Sequence, residues 1–223
     1  MDKLKQIDVL HNQGFNDMKI SRLVKSHKLG NLGYGFYIDN PQHFDLEKDA
    51  VIKRINTLLN SFPNKPNRVL FSSTSLNNYI NQLISSTTYI VEVEKEYIQT
   101  VFELLKLKLK NKVLLKPNDD EKHNYWEPGV IYLVELYKRC PVSMDGSIKV
   151  ETLLVNLLCN KHYYSLYSGQ DIESIINTIC LNYTINYKTL ISYASRRNKK
   201  EDVLNALRKY IPQEILEEIK VNK

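Results

Sequence analysis

The amino-acid sequence predicts a mixed α/β (α+β) protein in two parts, divided near residue 66. Three observations predict it. Residues 4–38 place two short helical stripes before a glycine-rich pair of apolar segments, and residues 68–138 set short β-branched and aromatic runs between helices of about 10 to 15 residues. From Lys149 onward, apolar residues recur only at helical spacing. With 43% hydrophobic and 25% charged residues among 223, the composition is that of a packed chain and excludes disordered and collagen-like classes. No apolar run approaches the roughly 18 to 20 residues that cross a bilayer. The opening run MDKLKQIDVL lacks the apolar core of a signal peptide, so the expectation is a cytoplasmic chain with no membrane partner. Cys140, Cys159 and Cys180 fit neither a disulfide framework nor a C-x-x-C metal site and read as core thiols.

The elements follow in order. Leu4, Ile7 and Leu10 make one helical stripe that stops at Gly14, a residue suited to a left-handed cap. Asn16 then caps a second helix with Asp17 in its first turn, where a carboxylate meets the positive end of the macrodipole. Ile20, Leu23 and Val24 form its buried stripe, extending toward His27, which leaves Lys19, Arg22, Lys25 and Ser26 on the outer face. From Lys28 to Ile38, two apolar pieces flank a glycine-rich turn and read as a hairpin. Helix, tight turn, basic helix and hairpin make the order of a winged helix-turn-helix, whose second helix enters the major groove of DNA. The predicted DNA-facing residues are Lys19, Ser21, Arg22, Lys25 and Ser26 on that helix, with Lys28, Asn31 and Tyr34 in the hairpin. A helix carrying Val51, Ile55, Leu58, Leu59 and Phe62 is expected to close this small domain over residues 1–66.

Residues 67–223 are expected to form the second domain. Val69–Ser72, Thr88–Val93, the run 112–116 and the run 129–138 read as strands, separated by helices near Leu76–Ile84 and around Ile98, Val101, Phe102 and Leu105. The polar, acidic stretch Asn118–Pro128 reads as a loop. Val150, Leu153, Leu154, Leu157 and Leu158 open a terminal helical bundle, which Ile172–Cys180 continues behind the capping pair Ser168 and Asp171. Leu190, Ile191 and Ala194, then Val203, Leu204 and Leu207, supply the last two stripes.

Charge is uneven along the chain. Lysine and arginine exceed aspartate and glutamate by 31 to 25, and the excess lies at the two ends. Residues 185–223 hold nine basic and five acidic groups. Four of those cations, Arg196, Arg197, Lys199 and Lys200, sit together at a helix end, where they read either as charges that satisfy the negative end of the helix or as a surface for an acidic partner or RNA.

The runs Leu10–Phe15, Ile20–Lys25 and Gly33–Tyr37 resemble the winged-helix domain of AbiEi-type antitoxins of type IV toxin-antitoxin systems. Val150–Asn156, Ser168–Asp171 and Ile185–Arg197 resemble the helical half of the same family. The resemblance implies a transcriptional regulator that binds operator DNA, represses its own operon and counteracts a nucleotidyltransferase toxin in phage defence by abortive infection, whether or not the two proteins touch. With the antitoxin role expected of residues 67–223, the basic run Arg196, Arg197, Lys199 and Lys200 is the candidate partner surface. Two departures stand out: the segment between Leu29 and Tyr37 has no Arg or Lys, and Thr152 and Asn156 occupy positions where relatives carry Lys and Asp.

Glu92-Val93-Glu94-Lys95 ends a strand, but a metal-dependent nuclease needs an Asp on the strand before and Glu-x-Lys here, so this reads as a solvated strand end. Gly146-Ser147 has no Asp-x-Asp within reach and reads as a turn. Asp119, Asp120 and Glu121 read as solvated acids, and the five histidines lack metal-ligand spacing. With no P-loop and no dinucleotide fingerprint, the sequence predicts a binding protein with no cofactor, no metal and no catalytic residue. The competing class is a metal-dependent nuclease or nucleotide-processing enzyme with a winged-helix substrate-binding domain.

Overall fold

The computed structural model describes residues 4–221. In chain order its elements are β1 (Lys5–Gln6), α1 (Ile7–Asn12), α2 (Asp17–Lys25), β2 (Leu29–Gly33), β3 (Phe36–Asp39), α3 (Ala50–Asn60), β4 (Arg68–Ser72), β5 (Tyr89–Val93), α4 (Ile98–Lys108), β6 (Val113–Leu115), α5 (Asp119–Tyr125), β7 (Ile131–Glu135), α6 (Val150–Cys159), α7 (Lys161–Tyr164), α8 (Gly169–Asn182), α9 (Tyr187–Arg196), α10 (Lys200–Leu207) and α11 (Gln213–Val221). The fold is mixed α and β, with a three-stranded and a four-stranded sheet. No helix among the described residues is long and apolar enough to cross a membrane.

Two compact units divide the chain. The first runs to Phe44 and takes up Val150–Asn160 and the chain from Ile176 onward; the second holds Asp45–Lys149 and Lys161–Ile175. The expected boundary at residue 66 therefore lies inside the second unit. Both units are assembled from separated stretches of chain.

In the second unit the strand order is β4-β5-β7-β6, antiparallel between β4 and β5 and parallel elsewhere. Alternation along the strands splits their side chains between two faces. Leu70, Val91, Val93, Ile131 and Leu133 pack with Val101 and Leu105 of α4 and with Ile52, Ile55 and Leu59 of α3. So α3 does not close the N-terminal domain as expected. Its stripe finds a larger apolar surface on the second unit's sheet.

On the opposite face, Tyr163 of α7 stacks at 5.0 Å on Phe71 and donates its hydroxyl to Glu92. Glu92 is 2% exposed. It is a buried, hydrogen-bonded group in mid-strand, not the solvated strand end that the sequence suggested. Glu94, beyond the strand, instead accepts from the backbone and side chain of Asn67. Buried Arg68 is held by Asn56 and Asn60 of α3 and by the Pro66 carbonyl.

Two local expectations are corrected. The stretch after β4 is a 3₁₀ turn over Ser73–Tyr79, not a helix reaching Ile84. Part of the expected acidic loop is α5, because Asn118 and Glu121 form a reciprocal capping box that satisfies two free backbone donors.

The first unit centres on α6. Every residue from Val150 to Leu157 is buried, so the helix is enclosed on all sides and does not merely dock one stripe. Three of the buried residues are polar: Glu151, Thr152 and Asn156. Glu151 accepts the backbone N–H of Asn186 at 2.8 Å, while the Asn186 side chain accepts from Thr189. A residue of α6 thereby completes the cap of α9, filling the role that a third-position glutamate plays in an ordinary capping box. At the other end of α9, Arg197 donates to Asn156.

Candidate nucleic-acid interface

In the first unit, the chain's own turn chemistry sets α1 and α2 in order, joined by a tight turn. Gly14, with φ of 81°, follows α1, and the bonds Gly14 N–H to His11 O and Phe15 N–H to Leu10 O close the Schellman pattern. Its apolar contact is present too, since Phe15 and Leu10 share a cluster with Ile20, Leu29 and Tyr37. Asn16 then accepts from the Lys19 N–H and starts α2, as the sequence predicts. The end of α2 repeats the same bond pattern through His27 and Lys28, although His27, with φ of 58°, takes the place usually held by glycine. His27 lies beyond the helix and exposed, not on the buried stripe, with its ring 4.0 Å from that of His43.

Only Ile20 of α2 is fully buried, and Lys19, Ser21, Arg22, Lys25 and Ser26 are all exposed. Lys19 lies over the Phe15 ring at 4.1 Å, and Arg22 contacts the Met18 sulfur at 3.3 Å. Neither contact neutralises a charge. The Asp17 carboxylate in the first turn is occupied by His11 at 2.9 Å.

Lys28 and Asn31 are also exposed and lead into the hairpin. Pairing of Gly33 with Phe36 leaves a two-residue loop, Tyr34-Gly35, with φ of 52° and 80°. Both positive angles match a type I′ turn, which suits the twist of the flanking strands. Tyr34 is half-buried, and burial raises its hydroxyl pKa. The strand β1 pairs with β3, completing the order β1-β3-β2.

One contributor to this surface was not legible in the sequence. A side chain on Gly33 would meet the Cβ and backbone nitrogen of Lys188 at 2.6 Å, so the first turn of α9 rests against β2. Exposed Lys188 thus stands beside a hairpin that carries no cation of its own. Its partner in contact is more than a hundred residues away along the chain, and no local pattern announces it.

The C-terminal basic run is divided by the fold. Arg196 is exposed, with its Nε donating to the Ser192 carbonyl, and Lys199 pairs with Asp202 at 2.8 Å. Lys200 is half-buried at the start of α10. Arg197 turns inward, its guanidinium 5.6 Å from the Tyr193 ring and bonded to fully buried Asn156. Taking the four as one surface at a helix end misses this because nothing local marks which arginine faces the core.

Among the described residues, no three His, Cys, Asp or Glu side chains converge in a geometry that could hold a metal ion. Residues 16–213 match the model of a family of unknown function, DUF6577. No curated protein matches the chain.

Proposed function

We propose that this chain, which belongs to DUF6577, binds duplex operator DNA through α2 in the manner of a winged helix-turn-helix and acts as the autorepressing antitoxin of a type IV toxin-antitoxin system. The observation that carries the DNA reading is the outer face of α2, where Lys19, Arg22 and Lys25 are exposed beside Ser21 and Ser26, and no carboxylate among the described residues is bonded to any of them. Long cations on a short, capped helix can reach phosphates while the hydroxyls reach base edges. The two-residue hairpin turn keeps the wing short, so backbone contacts beside the groove fall to Lys28, Asn31, Tyr34 and Lys188. The antitoxin part of the reading rests on the resemblance to AbiEi-type proteins, with exposed Arg196 and Lys199 and half-buried Lys200 as the cations that would meet an acidic toxin surface or RNA.

A gel-shift assay of the full-length chain on its own promoter tests the first part. Arg22→Ala with Lys25→Ala abolishes retention while the circular dichroism spectrum stays that of the parent. Binding of the parent weakens with salt by about 0.9 log units per log unit for each phosphate neutralised. Unchanged retention by the double variant removes α2 from the interface. Growth rescue against the adjacent toxin tests the second part, and a chain that binds DNA but never rescues would be a regulator without antitoxin activity.

A further inference from the structure

The second unit contains a cavity of about 640 Å³, within the roughly 300 to 1,000 Å³ range of small-ligand sites. Its wall brings together an aromatic platform and the Asp119–Lys122 pair, and Lys161 stands just outside that lining on the same carboxylate. Trp126, 48% exposed, presents its ring at the mouth, and its indole N–H donates to Thr88 at 3.3 Å, which fixes the ring's orientation. Tyr132 lies deeper, buried, with the Lys122 ammonium 5.9 Å from its ring. Lys122 and Lys161 then share a single carboxylate, Asp119, at 3.3 Å and 3.6 Å. Two ammonium groups on one carboxylate leave a net positive charge. His162 registers that field: burial together with Lys122 and Lys161 pushes its pKa down to about 4, so it adds no charge at neutral pH.

The chemistry that satisfies such a wall is planar and apolar at one end and anionic at the other. A base stacks on an exposed indole whatever its identity, because every base has a π-face. A phosphate replaces the exposed Asp119 carboxylate as the partner of both lysines and forms charge-assisted hydrogen bonds with them. We propose that this cavity binds one nucleotide unit, with its base against Trp126 and its phosphate between Lys122 and Lys161. The unit is either a free nucleotide or an unpaired nucleotide of an RNA strand. The site is independent of the DNA-binding reading, since α2 belongs to the first unit.

Trp126 is the only tryptophan in the chain, so its fluorescence reports on this cavity alone. Titrating the full-length chain with guanosine monophosphate, and separately with a single-stranded oligoribonucleotide about ten nucleotides long, gives saturable quenching in at least one arm. Quenching by the mononucleotide identifies a free ligand, and quenching by the oligonucleotide alone identifies a strand. Two exposed-residue variants then move affinity in opposite directions. Lys161→Glu weakens binding about tenfold or more, and Asp119→Asn tightens it several-fold by removing the competing carboxylate. Circular dichroism confirms that both variants keep the fold. Absence of saturable quenching in both arms, or an affinity indifferent to both variants, overturns the proposal.

Discussion

Arg196 and Arg197 are adjacent and chemically identical, yet the fold gives them different work. Arg196 is exposed, with its Nε on the Ser192 carbonyl one turn back, while Arg197 supplies a charged donor to Asn156, a side chain with no exposed surface. Removing a charged partner from a buried acceptor costs about 1.5 to 3 kcal/mol, whereas truncating an exposed surface cation costs about 0.5 kcal/mol or less. Arg197→Ala therefore lowers the midpoint of urea unfolding, and Arg196→Ala leaves it close to the parent. Equal midpoints for the two variants would contradict the inward placement of Arg197. The distinction also sharpens any test of the partner surface, because a variant altering all four cations together confounds lost contact with lost stability. Reversing Arg196, Lys199 and Lys200 alone probes the surface without touching the Asn156 bond.

At the scale of elements, β2 shows how a hairpin read from local sequence is built into the unit by a distant helix. Gly33 has φ of 89° and would place a side chain 2.6 Å from Lys188, while Gly35, with φ of 80°, has Ile7 as its nearest neighbour at 3.5 Å. Alanine at Gly35 pays only the left-handed backbone penalty, about 1 to 2 kcal/mol. At Gly33 the same penalty adds to overpacking against α9, for a total of about 2 to 5 kcal/mol. Thermal melts of the two single variants separate the cases, and similar losses would mean that α9 yields easily. Local chemistry was the legible part of these elements: Asn16 as a cap, Gly14 as a stop, the hairpin turn, and the strands β4, β5, β6 and β7 all follow from residues close in sequence. The capping box of α5 was equally local, with Asn118 and Glu121 three apart, and the density of acids around it masked the signal. What stayed hidden was set by distant partners. Lys188 beside the hairpin, Glu151 on the cap of α9, and the cavity wall where Thr88, Tyr132 and Lys161 meet α5 and Trp126 need the tertiary fold to bring them together.

For the whole molecule the decisive feature is the interleaving of the two units along the chain. A cut between residues 66 and 67, natural from the sequence pattern, divides both units at once. From the second unit it removes α3, whose Ile52, Ile55 and Leu59 are 3%, 0% and 0% exposed against the sheet, and it strips Asn56 and Asn60 from buried Arg68. From the first unit it removes the whole three-stranded sheet, including β2 against α9. Burial of the three aliphatic side chains alone contributes about 5 to 9 kcal/mol, comparable to the entire stability of an ordinary domain. Residues 67–223 expressed alone therefore lose the cooperative thermal transition of the full chain and bind a hydrophobic dye, although the fragment has the length of a comfortable domain. Co-expression with residues 1–66 restores both the transition and the low dye signal, because each fragment carries what the other unit lacks. A fragment 67–223 that melts cooperatively within a few degrees of the full chain would show that α3 and the small sheet are dispensable additions to a self-sufficient core. Any assay that assigns a function to one half of the chain by truncation inherits this constraint, so the proposed DNA binding and the proposed antitoxin role are separable only by point substitution in the intact protein.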